Sequence, residues 1–256
     1  MLKKITSALL CCAALITANA NANIMVDLEL QLLADVSGSV SSSEYNLQIS
    51  GYQTAFRDTS VIDAIVNGQE GGIAVQYIEW STNAAIRIDW FHIYDSTSAN
   101  AFADLLSGFG SKVTGIGNNT GIGTAINYGK DLFFNNQYDA VRQVMDVSGD
   151  GTNNVGAIAS TARDTALALG VDTINGITIG SSSSLDSYYT NNVIGGTNPF
   201  LISAGSFDDF TAGIQQKLVR EITGGGGASV PEPASIALFG LAILGLASAS
   251  RKKLQK

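Results

Sequence analysis

The pattern of apolar and polar positions along the chain predicts alternating strands and helices. Residues 26–34 (VDLELQLLA) alternate at first and then become wholly apolar, which is typical of a strand covered by helices on both faces. Serines 41–43 can cap a following helix, whose apolar positions recur every three to four residues at Tyr45, Ile49, Tyr52 and Phe56. Residues 73–80 and 84–94 are β-rich runs separated by three residues, so we expect an antiparallel hairpin there.

The second half of the chain continues the alternation. Helices are predicted at residues 99–106, 124–134 and 155–169, and strands at residues 141–148 and 173–179. A Ser/Asn-rich loop follows, then a short apolar run at residues 199–202. The last helix is predicted to begin at Ser206, where Asp209 completes a capping-box-like pair, with Phe207, Phe210, Ile214 and Leu218 on one face. This order predicts an α/β, doubly wound (Rossmann-like), mostly parallel sheet with one antiparallel edge strand and helices on both faces.

The first 22 residues differ from the rest and have the layout of a secretory signal peptide. Two lysines precede an uncharged run, which ends in an Ala-x-Ala pattern at Ala20 or Ala22. Cys11 and Cys12 are the two cysteines of the chain, and both lie inside this run. The exported domain would therefore contain no disulfide, and it must be held together by its core, with or without a metal ion.

The C-terminal residues form a second distinct segment. A glycine tract at residues 224–227 leads to Pro-Glu-Pro, which ends at Pro233, and an uncharged stretch of 17 residues (234–250) precedes a basic cluster. The combination resembles the PEP-CTERM sorting signal of Gram-negative bacteria. That resemblance implies anchoring in the inner membrane through the helix, cleavage by an exosortase-type protease, and delivery to the cell envelope or the extracellular matrix. A plain tail anchor is the alternative.

The charge of the chain is unevenly distributed. The 256 residues carry a net charge of −8, but residues 23–230 contain eight basic and 21 acidic side chains, which gives −13. Such an acidic module does not suit nucleic-acid phosphates and favours cations. We divide the chain into a signal peptide (1–22), a globular domain (23–223), a Gly-rich linker with the Pro-Glu-Pro motif (224–233), and a C-terminal membrane helix with a basic tail (234–256).

Three loops that follow predicted strands or precede helices are rich in oxygen ligands. Asp35, Ser37 and Ser39 come directly after the first strand, Thr120 precedes a helix, and Asp150 follows the strand that starts near residue 141. In a parallel sheet, ligands gather where the carboxyl ends of strands meet such loops. Two carboxylates and three hydroxyls suit a hard divalent cation, so we expect Mg²⁺, with Ca²⁺ or Mn²⁺ as alternatives.

The same residues resemble the metal-ion-dependent adhesion site (MIDAS) of von Willebrand factor A-type (vWA) domains. Asp35, Ser37 and Ser39 match the Asp-x-Ser-x-Ser motif, Thr120 matches the distant threonine, and Asp150 matches the later Asp-Gly turn. The chain departs from the family pattern in two places. Ile122 stands where a second threonine is usual, and Gly149 stands where Thr precedes Asp-Gly. The resemblance implies a bound cation that accepts a carboxylate from a protein or matrix partner.

The end of the domain is similar to one bacterial branch of the vWA superfamily, whose function is not known. That similarity is carried by Asn192-Val-Ile-Gly-Gly-Thr, by Phe207-Asp-Asp-Phe, and by Lys217-Leu-Val-Arg-Glu-Ile. The branch adds support for the fold and says little about the activity.

Three functions are compatible with this sequence. The leading hypothesis is an exported, non-enzymatic adhesion module that grips a partner through the cation. A matrix or biofilm structural protein, in which the metal only stabilises the fold, is an alternative. Metal-assisted hydrolysis is another, with Glu44 and Asp146 as the only candidate bases. The single histidine, His92, is expected to be structural.

Overall fold

The structure is a computed structural model, and it describes residues 23–224. Its strands are β1 (Ile24–Val26), β2 (Leu28–Asp35), β3 (Ile73–Trp80), β4 (Ala84–Ile93), β5 (Tyr138–Ala140), β6 (Gln143–Gly149), β7 (Thr173–Ile179), β8 (Gly195–Gly196) and β9 (Leu201–Ala204). Its helices are α1 (Ser42–Arg57), α2 (Thr59–Val66), α3 (Ser96–Ser107), α4 (Ile122–Lys130), α5 (Ala159–Leu169), α6 (Ser183–Asn192) and α7 (Phe210–Ile222), and a 3₁₀ turn (Asp131–Phe134) follows α4.

The main sheet has the strand order β4-β3-β2-β6-β7, and both β8 and β9 pair with the outer edge of β7. Strands β3, β2, β6, β7 and β9 are parallel, while β4 is antiparallel to β3. All residues of β2, β3 and β7 are buried because helices cover both faces of the sheet. The predicted doubly wound, mostly parallel sheet with an antiparallel edge strand is therefore confirmed. The structure also contains a two-residue antiparallel strand, β8, which the sequence pattern did not predict.

Two apolar layers enclose the sheet. One face packs against α1, α2, α3 and α7, and its core includes Tyr52, Phe56 and Phe210. The other face packs against α4, α5 and α6, with Trp80 and Tyr189 among its largest buried side chains. The helices on both sides leave the carboxyl-end loops of the central strands open at one end of the domain.

The start of α1 agrees with its predicted serine cap. The Ser41 hydroxyl accepts from the Glu44 N–H, and the Glu44 carboxylate accepts from the Ser41 N–H, so a capping box forms. This cap fixes the direction in which the chain leaves β2 and enters α1.

The sequence-based prediction was wrong for three helices, α5, α6 and α7. The Ser/Asn-rich stretch predicted as a loop contains α6, which is capped by the Ser182 hydroxyl and buries Leu185 and Tyr189. Helix α5 begins at Ala159, four residues later than predicted. The last helix begins at Phe210 rather than at Ser206, because the Ser206 hydroxyl donates to the Asp209 carboxylate and no side chain caps α7. The predicted apolar face of that helix is nevertheless buried.

The predicted signal peptide (1–22) and C-terminal membrane helix (234–250) lie outside the described residues. Within residues 23–224, every helix is too short or too polar to cross a membrane.

Candidate functional site

The predicted ligand loops meet at the carboxyl ends of two adjacent strands. Asp35 is the last residue of β2, and Gly149, which precedes Asp150, is the last residue of β6. The two strands pair in parallel, so their carboxyl ends open on the same edge of the sheet. Asp35 is fully buried, whereas Asp150 is half-buried at the mouth of the site.

Four of the five predicted residues are joined by hydrogen bonds. The Ser37 N–H donates to Asp35 Oδ1 at 2.8 Å, and the Ser37 and Ser39 hydroxyl oxygens lie 3.1 Å apart. The Ser39 hydroxyl then donates to Asp150 Oδ1 at 2.6 Å, across 111 residues of sequence. The chain thus brings two carboxylates and two hydroxyls into one connected group.

Thr120 lies beside this group and makes no hydrogen bond to the other four predicted residues within the part of the chain that the structure describes. A Cβ atom placed on Gly151 would lie 3.5 Å from the Thr120 hydroxyl oxygen, which puts Thr120 next to the Asp150 turn. The Asn154 amide holds Thr120 in place, since its Oδ1 accepts from the Thr120 N–H at 2.9 Å. Gly38 also donates its N–H to the Asn118 carbonyl, which ties the Thr120 loop to the Ser37 loop.

The electrostatics of the site centre on Asp35. Burial raises the pKa of Asp35 to about 7, the hydrogen bond from the Ser37 N–H opposes that rise, and the charge of Asp150 adds to it. Asp35 Oδ2 is buried and has no hydrogen-bond partner among residues 23–224. A buried carboxylate oxygen without a partner is costly, so this arrangement calls for a positive group at the site.

The backbone around Asp35 is held by side chains from neighbouring elements. The Gln48 amide of α1 donates to the Asp35 carbonyl at 3.3 Å. The Lys112 ammonium donates to the carbonyl of Ser37 at 3.0 Å and also to that of Val40. The loop that carries Lys112 is itself fixed, because the buried Glu79 carboxylate accepts from the Val113 N–H at 2.6 Å. The loop that carries Asp35, Ser37 and Ser39 is therefore held in place by side chains from neighbouring elements.

The space behind Asp35 is closed by aromatic side chains. A Cβ atom placed on Gly149 would lie 2.5 Å from the Tyr189 hydroxyl oxygen, 3.0 Å from Asp35 Oδ2 and 3.3 Å from Trp80 Cζ2. Glycine is required at this position as long as Tyr189 points into that space. Trp80 is opposite Asp35 in the β2–β3 register, so an indole ring lies beside the candidate site.

Sequence reasoning missed several residues that shape the site. Asn154 could have been noticed, because a carboxamide four residues after a strand-end aspartate is well placed to hold a neighbouring loop. Lys112 and Tyr189 gave no signal, since each reaches the site from an element that is remote in sequence.

The structure bears on the predicted roles of two other residues. Asp146, one of the two candidate bases, lies on the central strand β6, and its carboxylate is 2.8 Å from the buried Lys217 ammonium. It is therefore committed to an ion pair and unavailable as a base at the site. His92 lies on the edge strand β4, where its ring is 4.9 Å from that of Tyr94, and burial lowers its pKa.

The donor set contains only oxygen. Within residues 23–224 no group of three or more His, Cys, Asp or Glu side chains is arranged to hold a metal ion, and only two of the five predicted ligands are carboxylates. Carboxylate and hydroxyl oxygens are ligands of hard divalent cations, and the unpartnered Asp35 oxygen fits such an ion.

Solved structures with the same fold are von Willebrand factor A-type domains. Proximal thread matrix protein 1 of the mussel byssus, solved with zinc in its MIDAS motif, matches with a TM-score of 0.57 and 15% identity over 78% of this chain and 49% of that chain. A von Willebrand factor type A protein from Catenulispora acidiphila has a TM-score of 0.54 and 12% identity, over 77% of this chain and 43% of that chain. The pilus adhesin SpaC of Lactobacillus rhamnosus GG, in its open conformation, has a TM-score of 0.55 and 12% identity, over 80% of this chain and 31% of that chain. The chain thus spans about half or less of these proteins.

Family models match both the globular domain and the C-terminal segment of the chain. Residues 229–252 match the PEP-CTERM protein-sorting motif, a signal that implies export and sorting to the envelope. No curated protein matches the chain. Residues 25–226 match the model described as "Protein of unknown function (DUF1194)", a vWA-like family, which covers most of the chain. The chain therefore belongs to the DUF1194 family and carries a C-terminal PEP-CTERM sorting motif.

Proposed function

We propose that the protein is an exported, non-enzymatic binding module, which grips a partner carboxylate through a divalent cation. The cation would be held by Asp35, Ser37, Ser39, Thr120 and Asp150. The observation that supports this best is the hydrogen-bonded group of two carboxylates and two hydroxyls, from Asp35, Ser37, Ser39 and Asp150, at the carboxyl ends of β2 and β6.

The ligand types favour Mg²⁺, with Ca²⁺ or Mn²⁺ as substitutes. Hydroxyl ligands are neutral, and two carboxylates only balance the charge of a divalent ion. Five protein oxygens leave at least one of the six or more coordination positions of such an ion unfilled. Such an ion supplies an open coordination position for an anionic oxygen. The partner is then a protein or matrix polymer that offers a carboxylate.

The negative charge of the domain bears on how it could bind a polymer that carries carboxylates. A domain with a net charge of −13 repels a polycarboxylate, so binding to one requires the cation. The mussel byssus matrix protein and the pilus adhesin that share the fold have names that describe a matrix and an adhesive role, which is consistent with a binding module.

The sorting motif supports a place at the cell surface. We propose that residues 1–22 direct export, that residues 23–223 fold as the binding domain, and that residues 224–233 link it to the tail. Residues 234–256 would hold the protein in the inner membrane until an exosortase-type protease cuts it. The domain would then act in the envelope or outside the cell.

Cation binding is tested first, by terbium luminescence sensitised by tryptophan. Trp80 lies next to the site, and a Trp90→Phe background leaves it as the only tryptophan. We expect terbium emission that Mg²⁺ competes away and that Asp35→Ala abolishes. Asp104→Ala is the control, because Asp104 is an exposed carboxylate paired with Arg57 away from the site. Unchanged emission in Asp35→Ala would contradict the proposal.

Partner binding is tested second, on surfaces of poly-glutamate and alginate. We expect retention with Mg²⁺, release with EDTA, and no retention of Asp35→Ala. Retention that is indifferent to EDTA would show that the cation does not mediate the contact. Binding of cation without retention on either carboxylate polymer would favour a structural role of the ion in a matrix protein.

A further inference from the structure

A polar position shielded from solvent lies directly behind the proposed cation site. The Tyr189 hydroxyl oxygen and Asp35 Oδ2 are both within 3.0 Å of the point where a side chain at Gly149 would begin. The edge of the Trp80 ring closes the same space. A phenol hydroxyl from α6 thus fills the room that a side chain on residue 149 would need.

The two polar atoms at this position have complementary requirements. Asp35 Oδ2 and the Tyr189 hydroxyl are buried, and neither has a hydrogen-bond partner among residues 23–224. A phenol can donate one hydrogen bond, and an ionised carboxylate oxygen can only accept. Buried groups of this kind are normally paired, and the Tyr189 hydroxyl is a donor in the same space as Asp35 Oδ2. A carboxylate oxygen has two lone pairs, so a hydrogen bond to Oδ2 still leaves it able to bind a cation.

Tyr189 is held firmly enough to act on Asp35. Its side chain is fully buried in the core between the sheet and α5–α6. Helix α6 is fastened to the sheet, because the Asp186 carboxylate accepts from the hydroxyls of Thr178 on β7 and Ser203 on β9. A donor on such a rigid element fixes the direction of the bond that it makes.

We propose that Tyr189 is a positioning residue of the cation site, whose hydroxyl donates to Asp35 Oδ2 directly or through one water. The other carboxylate oxygen is held by the Ser37 N–H at 2.8 Å, so the two contacts together orient the carboxylate. This inference rests on the proposed cation site. The vWA pattern has a threonine where this chain has Gly149, and Tyr189 brings a hydroxyl to that place from α6.

The first test deletes the hydroxyl alone. Groups that orient a metal ligand affect metal affinity by about 10- to 100-fold. We expect Tyr189→Phe to weaken terbium binding about tenfold while the protein stays folded by circular dichroism. The matched control is Tyr77→Phe, because the Tyr77 hydroxyl is also buried and unpartnered within the described residues but lies in the opposite apolar layer. Tyr77→Phe should leave the terbium affinity unchanged.

The second test restores a hydroxyl from the other side. Gly149→Ser alone should weaken binding, because its Cβ would sit 2.5 Å from the Tyr189 hydroxyl. In the Tyr189→Phe background the same serine gains room and supplies a hydroxyl near Asp35 Oδ2. We expect the double variant to bind terbium more tightly than either single variant, a coupling that loss of packing would not produce.

The outcomes separate this inference from the proposed function. Absence of terbium binding to the unsubstituted protein overturns both. Binding that Asp35→Ala abolishes and Tyr189→Phe leaves unchanged overturns only the role of Tyr189. An equal loss in Tyr77→Phe and Tyr189→Phe, or a double variant that binds no better than the single variants, also overturns it.

Discussion

Two buried aspartates on neighbouring strands differ in how their charge is compensated. Asp35 ends β2, and Asp146 lies on β6 opposite Leu32 of β2. Both are fully buried, and burial is the main cause that raises the pKa of each to about 7. Asp146 has a cation of its own, because the Lys217 ammonium of α7 is 2.8 Å away and equally buried. Within residues 23–224, Asp35 has no such positive partner: hydrogen bonds from Ser37 and from the Asp150 backbone lower its pKa, and the charge of Asp150 raises it.

The difference separates a structural carboxylate from one that awaits a ligand. Lys217 also contacts Glu221 on α7, and Glu221 in turn accepts from the Asn175 amide at 2.9 Å, so one positive and two negative groups share a dry cluster. That cluster joins α7 to β6 and β7 at the level of the core. Asp35 ends β2 at the carboxyl end of the sheet, beside the half-buried Asp150 at the mouth of the site. The charge of Asp146 is therefore balanced by Lys217 of the same chain. By our proposal, the charge of Asp35 is balanced by a cation bound from solution.

Removal of the internal cation should have the largest effect. Lys217→Met leaves Asp146 and Glu221 buried without their positive partner. Breaking a buried ion pair typically costs about 3–5 kcal/mol. We expect a loss of that size in the free energy of unfolding, measured by urea denaturation with EDTA present.

The control for Lys217→Met removes a cation from the surface. Arg57→Met breaks the pair with Asp104, in which the two side chains are 39% and 71% exposed, so it should cost less than about 1 kcal/mol. Similar losses in the two variants would show that the Lys217 cluster contributes no more than a surface pair.

Addition of the external cation should have the next largest effect. Ligand binding to the folded state alone stabilises it by about 2.7 kcal/mol at a concentration of 100 times Kd. We expect Mg²⁺ to raise the free energy of unfolding by this amount, and to do nothing for Asp35→Asn. In EDTA, Asp35→Asn should be at least as stable as the unsubstituted protein, because it removes a buried carboxylate that lacks a cation. A Mg²⁺ response that persists in Asp35→Asn would place the ion elsewhere.

The dependence of stability on pH should be smaller per pH unit and should follow Asp146. Its pKa is raised above the ordinary value of 3.8 to about 7 by burial and by the charge of Glu221, while Lys217 opposes the rise. The folded state therefore holds more protons than the unfolded state. The stability from this group is complete below pH 4 and is lost as the pH rises through 7, by at most about 1.4 kcal/mol per pH unit.

The measurement isolates Asp146 from the other aspartate. Urea midpoints between pH 5 and 8 are compared in the Asp35→Asn background with EDTA, with and without Asp146→Asn. We expect the urea midpoint to fall less steeply between pH 5 and pH 8 once Asp146 is replaced. Equal slopes would assign the decline to other groups.

The fold was predictable where the sequence alone decides burial. The apolar pattern of residues 26–34 identified β2 as a strand buried on both faces, β3 and β7 were identified as strands, and the serine cap identified the start of α1. Helix α6 was missed because it is rich in serine and asparagine and buries only Leu185 and Tyr189 along its length. The start of α7 was misplaced because the Ser206–Asp209 contact precedes the helix instead of capping it.

Those residues of the candidate site that lie at or next to the ends of strands could be predicted from the sequence. Asp35, Ser37, Ser39 and Asp150 share a hydrogen-bonded group because β2 and β6 are parallel neighbours, although their role as metal ligands stays a prediction. Tyr189 and Lys112 could not be found this way. Each comes from an element whose approach depends on tertiary packing, and neither has a partner signal near it in sequence.

The smallest effect on stability is expected at Asp150, and it sharpens the contrast with Asp35. Asp150 is half-buried at the mouth of the site and accepts from the Ser39 hydroxyl, a bond that an asparagine oxygen can also accept. In EDTA, Asp150→Asn should therefore change the free energy of unfolding by less than about 0.5 kcal/mol. The same variant removes one of the two carboxylates of the proposed ligand set, so terbium affinity should fall while the fold is unaffected. Urea denaturation and terbium titration of the same sample separate the two quantities. Loss of stability without loss of affinity would make Asp150 a structural residue, like Asp146, and leave Asp35 without its partner carboxylate in the site.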